Sequence, residues 1–88
     1  MNTSFDNSYA RDLKKIADRN LKSEIKLAVL SVRKSQTVKN IPKLRKLKGY
    51  RTHYRIRVGD YRIGITIEGS LATFIRCLPR KDFYKVFP

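Results

Sequence analysis

Residues 53–67 read HYRIRVGDYRIGITI, and this stretch decides the fold. Tyr54, Ile56 and Val58 alternate with His53, Arg55 and Arg57, the period-two pattern of a half-buried strand. Gly59-Asp60 then supplies a two-residue hairpin connection. Beyond it, Tyr61, Ile63, Ile65 and Ile67 alternate with Arg62, Gly64 and Thr66. The register of such a hairpin buries one apolar face and gathers Arg55, Arg57 and Arg62 on the other.

Working outward, Glu68-Gly69-Ser70 turns the chain, and Leu71–Cys77 reads as a last strand whose facing the pattern leaves open. Arg80–Phe87 reads as a short helix or an ordered tail. On the other side, Leu44–Lys48 reads as a strand ended by Gly49. Residues 36–43 connect to it, with Pro42 as a breaker. Leu21, Ile25, Ala28, Val29 and Val32 form the stripe of a helix over Leu21–Ser35. Tyr9, Leu13, Ile16 and Ala17 form that of an earlier helix over 8–18. Asn7 or Ser8 is the expected cap of the first helix, and Asn20 the expected boundary between the two. Thr3–Phe5 is a candidate short first strand. The expected fold is α+β: a helical hairpin packed on an antiparallel sheet of about four strands, with a short C-terminal helix or tail. With 88 residues, no repeats and no linker composition, residues 1–88 are read as one domain.

The charge is the strongest global signal. Lys and Arg total 21 against 7 Asp and Glu, a net +14. Residues 31–62 alone carry eleven basic side chains and one acidic. Such a stretch lacks internal partners, so it repels itself and attracts polyanions. No apolar run approaches the ~20 residues that span a bilayer, and residues 1–10 are too polar for a secretory leader. A cytoplasmic protein without membrane association is expected. Lone Cys77 has no disulfide partner and reads as a small buried residue.

The same residues limit the chemistry. No carboxylate pair, Gly-rich phosphate loop, Ser-His-Asp set or metal-ligand cluster is visible, so neither metal nor cofactor is expected. Arginines present planar forks for phosphate. Lys43, Lys46, Lys48, Arg51 and Arg76 add RNA-gripping charge to the face of Arg55, Arg57 and Arg62. Tyr84, Phe87 and Tyr50 offer rings on which splayed bases stack. A site built from Arg, Lys and Tyr suits RNA, whose 2′-hydroxyl is an internal nucleophile. Lone His53 is read as an ordinary strand residue.

The runs Lys46-Leu47-Lys48-Gly49, Tyr54-Arg55-Ile56-Arg57, Gly59-Asp60-Tyr61-Arg62 and Arg80-Lys81-Asp82-Phe83-Tyr84 resemble the RelE branch of the RelE/ParE toxin superfamily. The resemblance spans nearly the whole chain. It implies a toxin of a type II toxin–antitoxin pair, a ribosome-dependent mRNA endoribonuclease that cleaves A-site codons by metal-independent 2′-hydroxyl attack. It also implies a catalytic set of Arg55, Arg57, Arg62, Arg80 and Tyr84, with ribosome and mRNA as partners. A cognate antitoxin is implied too, acidic and partly disordered when free, covering the Arg55/Arg57/Arg62 face or displacing the tail from Arg80 onward. The chain departs from the family pattern in three places, one of which is the basic strand pair, Arg55 and Arg57 here and Lys-Lys in RelE. Pro79 stands where many relatives carry His, and Leu78 where RelE carries a further Arg. Two rival readings stay open: a ParE-like gyrase inhibitor sharing the fold, against which the Arg55, Arg57, Arg62 and Tyr84 set weighs, and a basic RNA- or ribosome-binding module that has lost catalysis, to which Pro79 lends weight.

Overall fold

The hairpin forms as the alternation dictates. In the computed structural model, which describes residues 1–88, β3 (His53–Val58) and β4 (Tyr61–Glu68) pair antiparallel, with Val58 opposite Tyr61 and Arg57 opposite Arg62. The two-residue turn needs a positive φ at its first position, and Gly59 supplies it at +57°. β2 (Leu44–Lys46) flanks β3, and β5 (Leu71–Pro79) flanks β4. β2 is shorter than expected, because Leu47 and Tyr50 close a turn that takes Lys48 out of the ladder.

A fifth strand completes the sheet. β1 (Asn2–Phe5) runs parallel to β5, giving the order β1-β5-β4-β3-β2. α1 (Asn7–Lys14) then takes over the edge that β1 leaves open. The Asp6 N–H donates to the Phe74 carbonyl at 2.9 Å. The Ser8 hydroxyl donates to the Ile75 carbonyl at 2.6 Å, and the Cys77 N–H to the Asp12 carboxylate at 2.9 Å. Backbone groups that an edge strand would expose are thereby satisfied.

The facing of β5 is decided by a bulge. Gly64 opposes Arg76 while Ile65 opposes Phe74, so Ile75 is an extra residue. Phe74 and Cys77, three positions apart, therefore both reach the core, and Arg76 is turned to the opposite face with Gly64. The core face joins Ile56, Val58, Ile63, Ile65, Ile67, Ala72, Phe74 and Cys77 to Tyr9, Ile16, Ile25, Val32 and Ile41. Each large apolar side chain buried there contributes roughly 1.5–3 kcal/mol.

The helix ends differ from expectation. α1 stops at Lys14 rather than near residue 18, and Asp6, not Asn7 or Ser8, caps it. α2 (Arg19–Lys34) starts on Asp18 rather than Asn20, its carboxylate accepting from the Asn20 and Leu21 N–H groups at 2.9 and 3.2 Å. A carboxylate accepts these bonds and also complements the positive helix end, so aspartate wins each cap. The extended Asp18 forces the chain out of helix beforehand, which leaves Ile16 buried in the connection and Ala17 exposed. α3 (Arg80–Val86) is a helix, on the sheet face opposite α1 and α2. Phe83 and Phe87 seat it, with the Phe87 ring over Gly64. A Cβ on Gly64 would lie 2.8 Å from that ring, so the close approach requires glycine. No helix is long and apolar enough to cross a membrane.

Candidate nucleic-acid interface

The second sheet face carries the basic residues. Arg45 opposes Arg55, Arg55 opposes Gly64, and Arg57 opposes Arg62, so all four arginines project to one side. Lys43, held at φ +61°, joins Arg45, Arg55 and Arg57 around a hollow of about 230 Å³ lined by these four cations alone. None of the four has a carboxylate partner, since the molecule's one salt bridge lies elsewhere. The hollow therefore gathers self-repelling charge with free donors, which is what a phosphate chain satisfies.

Arg62 occupies this face differently from its neighbours. It is only 8% exposed. One terminal nitrogen donates to the Gly59 and Tyr61 carbonyls, at 3.1 and 3.0 Å, holding the β3–β4 turn. Its Nε is buried without any partner. A buried cation with a spare donor and no counter-ion is costly to keep.

α3 packs on the same sheet face, over Gly64. Its first residue is pinned to the hairpin turn by the bond from the Arg80 N–H to the Asp60 carbonyl at 2.8 Å. Val86 lines a hollow with Ile75 and Arg76 of β5. Arg80 and Tyr84, one turn apart, share a flank of the helix on the side away from Val86. Tyr84 is 52% exposed and rests edge-on against Phe83, at 5.0 Å. Pro79 begins the helix with no N–H to leave unsatisfied.

Some of the expected residues lie elsewhere. Lys46 opposes Tyr54 and so belongs to the helix-side face, not to the arginine face. Lys48 and Arg51 are exposed in the β2–β3 turn. Arg76 is on the arginine face, but its guanidinium is engaged: Nε and a terminal nitrogen donate to Asp12 at 2.7 and 3.0 Å. That bond raises the already high Arg76 pKa, so this cation is fixed and partnered. Phe87 is buried against Gly64 and has no free face for a base.

Two residues were missed in the sequence. Arg45 was legible from Leu44-Arg45-Lys46, where burying Leu44 turns Arg45 outward. Asp12 lies three residues after Tyr9, on the helix stripe that is buried, and an acid there calls for a partner.

The molecule is thus a small α+β protein with a cationic sheet face and a helix bearing aromatic side chains packed on it. No family model matches the sequence. The chain is 37% identical over 89 residues to Toxin RelE3 of Methanocaldococcus jannaschii, covering 100% of both. It matches a chain of the RelB-RelE antitoxin–toxin complex from Methanococcus jannaschii at 38% identity and TM-score 0.79, covering 97% of this chain and 99% of that one. The fold alone is shared with the YoeB dimer of Staphylococcus aureus, at 21% identity and TM-score 0.73, covering 89% and 94%. The chain belongs to the RelE branch of the RelE/ParE toxin superfamily.

Proposed function

We propose that this protein is the toxin of a toxin–antitoxin pair and cleaves ribosome-bound mRNA. The observation that carries the reading is the all-cationic hollow of Lys43, Arg45, Arg55 and Arg57, with Arg62 buried on the same sheet face and α3, which bears Arg80 and Tyr84, packed on that face over Gly64. The 2′-hydroxyl attacks the adjacent phosphorus and gives its proton to solvent water, the bond from phosphorus to the 5′-oxygen breaks, and that oxygen departs with a proton taken from water, leaving a 2′,3′-cyclic phosphate. Arg55, Arg57 and Arg45 bind the phosphates and spread the phosphorane charge. Arg62 adds its charge from within the sheet surface, where low dielectric strengthens it. Tyr84 stacks on a base and fixes the line of attack.

Nothing in this set is an efficient base, because arginine holds its proton and Pro79 stands where many relatives carry His. Alignment of the RNA by the ribosome then supplies much of the rate, and free RNA is a poor substrate. The antitoxin is an acidic chain that lies over the arginine face or displaces α3. A complex that left both surfaces open would contradict that part of the reading. The test is a translation reaction with a defined mRNA. Cuts that require ribosomes support the proposal. Intact mRNA together with inhibited DNA supercoiling by gyrase would favour the ParE-like alternative instead.

A further inference from the structure

We infer that the Tyr50–His53 ring pair is a second base-stacking site, which receives the RNA where it leaves the arginine hollow. The inference rests on the reading of this face as an RNA surface and extends it to a new position. Of the five tyrosines, only Tyr50 and Tyr84 are exposed, at 45% and 52%. They stand at the two ends of one continuous aromatic series. Tyr50 meets His53 at 5.2 Å, His53 meets Phe87 at 5.6 Å, Phe87 meets Phe83 at 5.2 Å, and Phe83 meets Tyr84 at 5.0 Å. Of the inner rings, Phe83 and Phe87 are buried and His53 is half-buried. The outer two are therefore held against a packed support, at little entropic cost on binding.

The arginine hollow runs alongside this series. His53, Arg55 and Arg57 project in turn from one strand face, so the ring pair continues the same line as the cations. From Arg57 to His53 is about 13 Å at the rise of a strand. A second hollow of about 330 Å³ opens beside His53, with Thr66, Arg76 and Phe87 in its wall, leaving room for the edge of a stacked base. Lys48 and Arg51 flank Tyr50 in the sequence and supply phosphate contacts next to the ring. An exposed aromatic at the end of a phosphate-binding groove is the arrangement by which single-stranded RNA is gripped.

The chain contains no tryptophan, so Tyr50→Trp creates a unique fluorescent probe at the site. The protein is titrated with a labelled oligouridylate of about eight nucleotides, without ribosomes, and binding is followed independently by anisotropy of the label. Stacking predicts that the indole fluorescence of the Tyr50→Trp variant is quenched in step with the anisotropy. It predicts that Tyr50→Leu weakens binding about ten-fold and Tyr50→Phe hardly at all. The salt dependence should be unchanged in Tyr50→Leu but shallower by about one charge in Arg55→Ala. RNA binding with no change in indole fluorescence and an undisturbed Tyr50→Leu affinity would overturn the inference and leave the mRNA cleavage reading intact. Failure of the wild type to bind the oligonucleotide would also overturn it, while cleavage on ribosomes remains a separate measurement.

Discussion

At the scale of single residues, Arg62 is the informative case. Its guanidinium is buried, bonded to two turn carbonyls, and left with an unpartnered Nε. A protein selected for stability alone would place an apolar side chain there. Arg62→Met is therefore expected to fold at least as stably as wild type by thermal melting, while losing mRNA cleavage by about a hundred-fold or more. A variant that unfolds would assign Arg62 to structure instead. Asp12 predicts the opposite. It is 4% exposed and accepts from Arg76 twice and from the Cys77 N–H once. Asp12→Ala strands a cation and a backbone donor, and should cost about 3 kcal/mol in denaturant unfolding. The alternation of Tyr54-Arg55-Ile56-Arg57 made the facing of Arg55, Arg57 and Arg62 legible. It could not show that Arg62 would be buried, because alternation sets the face of a side chain and not its fold-back onto the Gly59 and Tyr61 carbonyls.

At the scale of elements, the β3–β4 hairpin was legible because pattern and turn chemistry agree, and the helices because their stripes are regular. What the sequence concealed came from long-range pairing. β1 finds its partner some seventy positions away, and four residues carry too little pattern to announce a parallel edge. The bulge at Ile75 shifts the period by one, which made the facing of Leu71–Cys77 undecidable from alternation alone. The helix starts were misplaced by a residue or two because each boundary holds several capping residues and the carboxylate prevailed. α3 docks by Phe83 and Phe87 over Gly64, and this contact is open to test. Gly64→Ala places a methyl against the Phe87 ring and should loosen the helix at a cost of roughly 1–3 kcal/mol. Limited trypsin digestion should then cut faster at Lys81 and Lys85 while β3–β5 stay protected. Unchanged digestion would mean that α3 is held by something other than this seat.

At the scale of the molecule, two buried titratable groups shape the alkaline behaviour. The Cys77 thiol is pushed up to about 12 by burial and, secondarily, by Asp12. Burial also raises the Tyr9 hydroxyl well above its ordinary value, with Cys77 adding to the shift. Both groups are neutral in the folded protein and ionise more easily when unfolded. Their contribution is therefore complete below the unfolded values of 9.0 and 10.0 and is lost as pH rises beyond them. Unfolding free energy should fall above about pH 9, by roughly a kcal/mol per pH unit. A Tyr9→Phe, Cys77→Ala double variant should flatten that alkaline limb, and an unaltered limb would assign the loss to other groups.

Under the proposed function, the arginine face and α3 together cleave RNA held in the ribosome. The measurement that tests it most directly is primer extension on a defined mRNA after translation in vitro, with wild type beside Arg62→Met and Tyr84→Phe. Wild type should give discrete stops at A-site codons, absent without ribosomes and strongly weakened in Arg62→Met. Full-length extension products from wild-type reactions, or stops of equal strength from the folded Arg62→Met variant, would contradict it.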